Sequence, residues 1–242
     1  KNAAGDFKEP FLVISGDAMC DYELDKMMKY HAAAQAAATI AVARVEDPRE
    51  YGLVRFDREN RVESFIEKPG WGQAVCNTAN TGIYILDPSC LELIPDGESF
   101  DFAKDLFPRM MEQGQALFAY LATGYWCDIG DISSYIRCQR DLLSGRVHCK
   151  MPPQLSQGIY CAGDLPPGDY SIEPPVYIGD GVEIGEGAVI GAYTSVSGGC
   201  RIGAGAKVRG SVLLRGACVA EHAAAVDAVL APGACLGRGA SV

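Results

Sequence analysis

The C-terminal third of the chain repeats with a period of six residues. From Pro175 onward the hexads VYIGDG, VEIGEG, AVIGAY, TSVSGG, CRIGAG and AKVRGS follow one another. A period of six is neither the 3.6 residues of an α-helix nor the two of a simple strand. It predicts a parallel β-helix in which each hexad forms one short face and its apolar residue points inward. The predicted inward residues are Ile178, Ile184, Ile190, Val196, Ile202, Val208 and Leu214.

The hexad register is interrupted once in the sequence. It slips between Ala220 and Leu230 and then resumes at Leu230, Leu236 and Val242, which we also expect to point inward. The repeated glycines are explained as turn residues of the β-helix, because neither of the phosphate-loop patterns GxxxxGK[ST] and GxGxxG occurs in the chain.

Residues 1 to about 150 show a different pattern, in which strand-like and helix-like segments alternate. Such alternation predicts an α/β sheet with helices on its faces. The predicted strands are FLVIS (11–15, buried), TIAVARV (39–45), a hairpin of YGLVRF (51–56) and RVESFIE (61–67), TGIYIL (81–86) and a strand over 116–122. The predicted helices are 22–39, with Asp21 as its N-cap, 102–113, and 132–143, with Asp131 as its N-cap.

Three Pro-Pro pairs separate or border these two regions, at 152–153, 166–167 and 174–175. Proline-rich stretches favour loops, so we expect residues 151–174 to form a linker with little regular structure. The expected domain organisation is therefore an α/β region over 1–150, a linker over 151–174 and a β-helix over 175–242.

Composition excludes several classes of function. A net charge of −10 argues against nucleic acid as the main partner. No segment approaches the roughly 20 apolar residues of a membrane helix, and no signal-peptide pattern follows Lys1, so we expect no membrane association. Ten cysteines without a CxxC pair, beside only three histidines, give poor support for a zinc site. Scattered cysteines of this kind are typical of a reducing cytoplasm.

Polar residues stand at the ends of several predicted strands, where open α/β sheets bind their ligands. Asp17 follows the first strand, Glu67 and Lys68 end another, Asn80 precedes a third, and Asp128 lies in GYWCDIGD. Taken singly, each has an ordinary explanation as a turn former or a solvated charge.

Taken together, these segments are more specific. FLVISGD, YGLVRFD, FIEKP, NTGIYIL, FDFAKDLFP and GYWCDIGD follow one another in an order and spacing that resemble the sugar-1-phosphate nucleotidylyltransferases. EKPGWGQ, NTGIY and FDFAKDLFP are most similar to bacterial mannose-1-phosphate guanylyltransferases, including forms fused to a phosphomannomutase. The resemblance implies a Rossmann-like nucleotidyltransferase sheet followed by a left-handed β-helix. It also implies a cytoplasmic enzyme of GDP-mannose or related nucleotide-sugar synthesis.

The resemblance implies a catalytic role for three residues. Asp17 and Asp128 would hold Mg²⁺, and Lys68 would pair with the phosphate of a sugar 1-phosphate. The reaction would transfer a nucleotidyl group from a nucleoside triphosphate to the sugar 1-phosphate and release pyrophosphate. Two polyanions must meet in such a reaction, and a metal held by carboxylates offsets their charge.

The resemblance also implies three residues that bind the sugar. Glu67 and Asn80 would hydrogen-bond to sugar hydroxyls, and Gly52 would let the backbone approach the sugar closely. The partners would be a sugar 1-phosphate and a nucleoside triphosphate, with mannose and glucose both open and the base undetermined. We expect a homo-oligomer, since β-helix tails stack in relatives and the strand 11–15 would leave an unpaired flank.

One family feature does not occur in the sequence: the glycine-rich segment with Arg and Lys that binds the triphosphate. KNAAGDFKEP resembles the approach to the fourth strand of the catalytic domain, so we expect the first strands to be missing from this chain and the chain itself to be inactive. Two alternatives stay open. One is a hexapeptide-repeat acyltransferase using His222, which we read more readily as a solvated turn residue. The other is a non-catalytic regulatory or assembly subunit.

Overall fold

The computed structural model describes residues 7–67, 69–70 and 76–242. The chain forms two compact units, residues 1–128 and 129–242. In the part of the chain that the structure describes, no helix is both long and apolar enough to span a membrane. The boundaries of the three expected domains stay predictions.

The first unit is built on one mixed sheet. Its strands are β1 (Phe11–Ile14), β2 (Ala18–Cys20), β3 (Ala38–Arg44), β4 (Leu53–Phe56), β5 (Val62–Ile66), β6 (Thr78–Leu86), β7 (Leu117–Leu121) and β8 (Trp126–Asp128). The main sheet has the order β5-β4-β6-β3-β7, with β1 also paired to β6, and only β3 and β7 are parallel. Strands β2 and β8 form a separate two-stranded ribbon.

Helices cover both faces of this sheet, as predicted for an α/β fold. Helix α1 (Leu24–Ala34) buries Met27 against Ile83 and Ile85 on one face. On the other face, a π-helical turn (Phe102–Leu106) leads into α2 (Phe107–Glu112), which buries Phe107 against Tyr84. Short 3₁₀ helices span Pro48–Glu50 and Pro88–Leu93.

The predicted hairpin and the predicted helix over 102–113 are confirmed. Strands β4 and β5 pair antiparallel, and the Asp57 carboxylate in their turn accepts hydrogen bonds from the backbone N–H groups of Glu59 and Arg61. The helical run begins where the Asp101 carboxylate accepts from the N–H groups of Ala103 and Lys104, which is N-cap geometry.

The first strand is not buried on both faces as predicted. Leu12 is 38% exposed and Ile14 is 45% exposed, whereas Phe11 and Val13 pack on the core. Among the described residues, β1 pairs with β6 alone. It is therefore an edge strand with only one face packed on the core. Its continuous apolar run had predicted burial of both faces.

The first helix is shorter than predicted, and its expected cap is wrong. It ends at Ala34 because Gln35 adopts a left-handed backbone with φ of 49°. The alanine-rich run then continues into β3, where small side chains such as Ala38 are fully buried in the sheet. Asp21 does not cap this helix, since its carboxylate accepts a hydrogen bond from the backbone N–H of Tyr125 instead.

The buried His31 makes stability depend on pH. Its Nδ1 lies 2.9 Å from the Thr39 hydroxyl, and burial lowers its pKa, although the Asp87 carboxylate acts in the opposite direction. Because the folded-state pKa lies below the unfolded value of about 6.5, the unfolded state takes up the proton first as pH falls. We therefore expect the contribution of His31 to stability to be fully present above about pH 6.5 and to decline below it.

We therefore expect the melting temperature to fall between pH 7.5 and 5.5, and to fall less in His31→Gln. This window lies above the titration range of ordinary carboxylates, near pH 4. Thermal unfolding followed by circular dichroism checks the result. An identical pH slope in the wild type and in His31→Gln would remove His31 as the cause.

The second unit begins with α3 (Ile132–Leu143). The Asp131 carboxylate accepts a hydrogen bond from Ser134 N at 2.6 Å, which confirms the predicted N-cap. Residues 151–174, for which little regular structure was predicted, contain three short strands: β9 (Gln154–Ser156), β10 (Ile159–Cys161) and β11 (Ser171–Ile172). Strands β10 and β11 pair in parallel with strands of the repeat region, so the solenoid begins within the predicted linker.

A left-handed parallel β-helix follows, as predicted. Its remaining strands are β12 (Val176–Ile178), β13 (Glu183–Ile184), β14 (Val189–Ile190), β15 (Thr194–Val196), β16 (Arg201–Ile202), β17 (Lys207–Arg209), β18 (Val212–Leu213), β19 (Cys218–Val219), β20 (Ala224–Val226), β21 (Val229–Leu230) and β22 (Cys235–Leu236). Three parallel ladders form its faces: β10-β12-β15-β18-β21, β11-β14-β17-β20 and β13-β16-β19-β22. The first six predicted inward residues, from Ile178 to Val208, are all buried.

The seventh inward position is Leu213 rather than Leu214. Leu213 is fully buried and pairs with Val196, whereas Leu214 is only partly buried. The register therefore first slips between Val208 and Leu213, earlier than predicted. From there on, each coil has 17 residues instead of 18. Val242 follows Ser241, the register partner of Ala224, and so takes the inward position that Ala225 holds in the coil before, although it is 60% exposed.

Candidate active site

The ribbon of β2 and β8 brings together two carboxylates that are distant in the sequence. Asp128 is the direct cross-strand partner of Ala18, and Asp17 immediately precedes Ala18. The Ser15 hydroxyl donates to the Asp17 carboxylate at 2.5 Å. Both acids therefore lie at the same end of one ribbon. Because they are distant in the sequence, only the fold brings them together.

The other end of the ribbon is closed by Asp21. Its carboxylate accepts from the Tyr125 N–H at 2.5 Å, and its own backbone N–H donates to the Tyr125 carbonyl. Gly124 has φ of +124°, and a Cβ on it would lie 2.4 Å from Asp21 Oδ1. Glycine is needed here because both the backbone angle and the carboxylate exclude a side chain.

Trp126 anchors the ribbon to the main sheet. Its indole N–H donates to the Thr81 carbonyl of β6 at 3.2 Å, and its ring lies 5.4 Å from the Tyr51 ring. Tyr51 directly precedes Gly52 in the chain. The position of β8, and hence of Asp128, is thus tied to the segment that carries Gly52.

Gly52, Glu67 and Asn80 line one cavity of about 450 Å³. The Asn80 backbone N–H donates to the Gly52 carbonyl at 2.8 Å, and a Cβ on Gly52 would lie 3.1 Å from Glu67 Oε2. Ser15, whose hydroxyl binds Asp17, lines the same cavity. The three predicted sugar-binding residues therefore share a cavity, and one hydrogen bond links it to the predicted metal ligand Asp17.

Asn80 lies inside β6 rather than just before it, because the strand starts at Thr78. Its Nδ2 donates to the Tyr84 hydroxyl at 3.1 Å, and its Oδ1 accepts from Gly82 N at 3.2 Å. Burial raises the pKa of Tyr84, so the phenol stays protonated and acts as a neutral hydrogen-bonding group. Both ends of the Asn80 amide are oriented by the protein, which fixes the side chain at the cavity wall.

Lys104 is a site residue that sequence reasoning missed. Its ammonium lies 3.6 Å from Glu67 Oε1, and it lines the same cavity. The signal was available, since Lys104 lies in FDFAKDLFP, the same segment that carried the family resemblance. The predicted Lys68 lies outside the described residues.

A metal site whose ligands all come from the protein needs more than two carboxylates. No group of three or more His, Cys, Asp or Glu side chains with metal-binding geometry occurs within the described ranges. A site that recruits its metal together with substrate phosphates needs only one or two carboxylates, and Mg²⁺ is usually bound in this way. The Asp17 and Asp128 pair fits this second kind of site.

His222, the candidate of the acyltransferase alternative, is an exposed turn residue of the β-helix. Its backbone is left-handed, with φ of 57°, and its N–H donates to the Ala204 carbonyl of the preceding coil. It lines none of the cavities described above, so the solvated reading of this residue is the better one.

Comparison with known families identifies the class of protein. Residues 1–145 match the model described as "Nucleotidyl transferase", and residues 172–242 match the "GMPPB C-terminal domain". The chain belongs to the nucleotidyl transferase family. Members of this family generally use a divalent metal ion.

Curated relatives carry more particular names. The chain is 35% identical over 173 residues, covering 72% of this chain and 44% of the relative, to a mannose-1-phosphate guanylyltransferase catalytic subunit beta from Drosophila pseudoobscura pseudoobscura. It is 34% identical, over 72% of this chain and 46% of the relative, to a UTP–glucose-1-phosphate uridylyltransferase from Synechocystis. A probable mannose-1-phosphate guanylyltransferase 3 from Arabidopsis thaliana is 37% identical, over 65% of this chain and 46% of the relative. The chain spans about half the length of the curated relatives it matches.

Proposed function

We propose that this protein takes part in transfer of a nucleotidyl group from a nucleoside triphosphate to a sugar 1-phosphate, giving a nucleotide sugar and pyrophosphate. The observation that carries the proposal is the shared cavity, which Gly52, Glu67 and Asn80 line together with Ser15, the hydrogen-bond donor to Asp17. This arrangement supports a sugar site next to a site for phosphate and metal.

The proposed roles follow from the chemistry of each group. The Glu67 carboxylate accepts hydrogen bonds from sugar hydroxyls, the Asn80 amide both donates and accepts them, and Gly52 leaves room for the ring. Lys104 supplies positive charge beside Glu67, and Lys68 is proposed to pair with the sugar phosphate. Asp17 and Asp128 would hold Mg²⁺, which offsets negative charge on the phosphates when they are bound.

The sugar is proposed to be mannose and the nucleotide GTP, following the names of the fly and plant relatives. Glucose and UTP are the competing pair, following the name of the cyanobacterial relative. We also propose a homo-oligomer, supported by the pairing of β1 with β6 alone among the residues that the structure describes. A cytoplasmic location is supported by the ten cysteines, all in the described ranges, of which none forms a disulfide.

Binding of a sugar 1-phosphate to this chain tests the proposal directly. We expect mannose 1-phosphate to bind in calorimetric titrations with Mg²⁺ present, and Glu67→Gln to weaken binding about tenfold. Tenfold is about 1.4 kcal/mol, close to the lower end of the range of about 1.5–3 kcal/mol for one hydrogen bond to a charged group. Titration with glucose 1-phosphate ranks the two sugars.

Glu59→Gln is the matched control, because it removes the same negative charge from an exposed hairpin turn. It should leave the affinity unchanged. Equal affinities for the wild type and Glu67→Gln would refute the sugar site, as would an absence of binding. Inorganic phosphate that binds as tightly as the sugar 1-phosphate would show that the cavity recognises the anion alone.

A further inference from the structure

Two cysteines face each other on the outer surface of the β-helix. Cys218 of β19 is the direct parallel partner of Cys235 of β22. The residues that follow them, Val219 and Leu236, belong to the apolar interior. Because side chains alternate along a strand, the two cysteines point outward. Cys218 is partly exposed and Cys235 is exposed.

The spacing of this pair suits a covalent bond. Neighbouring strands lie about 4.7–4.9 Å apart, and disulfides join Cα atoms about 4.4–6.8 Å apart. The ladder therefore already holds the two backbones at a suitable distance. Among the strands of the described ranges, this is the only register that pairs two cysteines.

A cation lies next to the pair on the same face. Arg201 of β16 is the register partner of Cys218 on the side away from Cys235. Burial raises the pKa of Cys218, and Arg201 opposes this effect. The charge of Arg201 favours the thiolate of Cys218, the form that reacts with disulfides, against the larger effect of burial.

We propose that Cys218 and Cys235 form a dithiol modification site that closes to an intramolecular disulfide when it meets a small-molecule disulfide such as oxidised glutathione. The Cys235 thiolate attacks one sulfur of oxidised glutathione, and one glutathione thiolate leaves. The Cys218 thiolate then attacks the Cys235 sulfur, and the second glutathione thiolate leaves. The two protons lost by the cysteines end on the two glutathione molecules, so two electrons pass from the protein to the oxidant.

Peptide mapping of the whole chain tests this site. The chain is treated with oxidised glutathione, blocked with iodoacetamide and digested with trypsin without a reductant. Cleavage after Arg215 and Arg238 releases residues 216–238, which contain Cys218 and Cys235 and no other cysteine. We expect this peptide to be two hydrogens lighter than the reduced form and to carry neither label nor glutathione.

Two serine variants act as controls. Cys235→Ser should abolish the closed product and leave glutathione on Cys218 as the end product. Cys149→Ser removes an exposed cysteine whose thiol lies 3.7 Å from the Met151 sulfur, and it should leave the closed product unchanged. The proposal is overturned if the wild-type peptide ends with glutathione on either cysteine, or with both cysteines alkylated.

Discussion

Replacing Gly185 by alanine is expected to destabilise the β-helix by about 3 kcal/mol or more, at the upper end of overpacking costs. A Cβ on Gly185 would lie 2.5 Å from the backbone nitrogen of Ala204 in the next coil. The backbone cannot withdraw easily, because the Gly185 N–H donates to the Ile202 carbonyl at 2.7 Å and the adjoining strands are in register. The added Cβ therefore clashes with main-chain atoms, and no change of side-chain rotamer relieves the clash.

Gly187→Ala is the matched control, two residues further along the same turn. Gly187 has φ of +68°, but nothing lies within 4 Å of a Cβ placed there. It should cost only about 1–2 kcal/mol, the penalty of a left-handed backbone. Urea unfolding followed by circular dichroism measures both variants. Tryptophan fluorescence follows the other unit independently, since both tryptophans, at 71 and 126, lie within residues 1–128. Equal losses in the two variants would contradict the steric explanation.

Asp17→Asn and Asp128→Asn are each expected to weaken binding of a divalent ion by at least about tenfold, the scale of effects around metal sites. Mn²⁺ can substitute for Mg²⁺ and is detected directly by electron paramagnetic resonance, here with mannose 1-phosphate present. If one ion uses both carboxylates, the double variant should be little worse than either single variant, because one substitution already disrupts the site.

Asp57→Asn serves as the control for the loss of one carboxylate. Asp57 lies in the β4–β5 turn, where its side-chain oxygen accepts two backbone hydrogen bonds that an amide oxygen can also accept. Its affinity for Mn²⁺ should equal that of the wild type. Unchanged affinity in both Asp17→Asn and Asp128→Asn would remove the assignment of a shared metal.

The repeat was predictable because its period is a local property of the sequence. The inward residues from Ile178 to Val208 follow from six-residue spacing alone. The one-residue shift that buries Leu213 instead of Leu214 was not predictable, since both positions are leucine and only pairing with Val196 distinguishes them. Composition likewise could not show that the helix ends at Ala34 rather than Thr39, because alanine packs well in a helix and also fits a crowded sheet.

The residues of the candidate site could be predicted from the sequence, but their arrangement in space could not. Asp17 and Asp128 could be named from their positions after strands, yet their meeting depends on the register of β2 with β8. Asp21 illustrates the limit most clearly. An acid before a helix is normally read as a cap, and only the tertiary fold places the Tyr125 N–H within its reach.

The shortened coils of the β-helix all lose their residue at one corner. Tyr193, Gly210 and Asp227 occupy this corner in successive coils, and each has a left-handed backbone with φ between 52° and 62°. The ladders on either side keep their pairing while the coil changes from 18 to 17 residues. This corner therefore absorbs the change in coil length. A residue can be added or removed there without shifting the faces, which makes it the natural place to graft a peptide loop onto the solenoid.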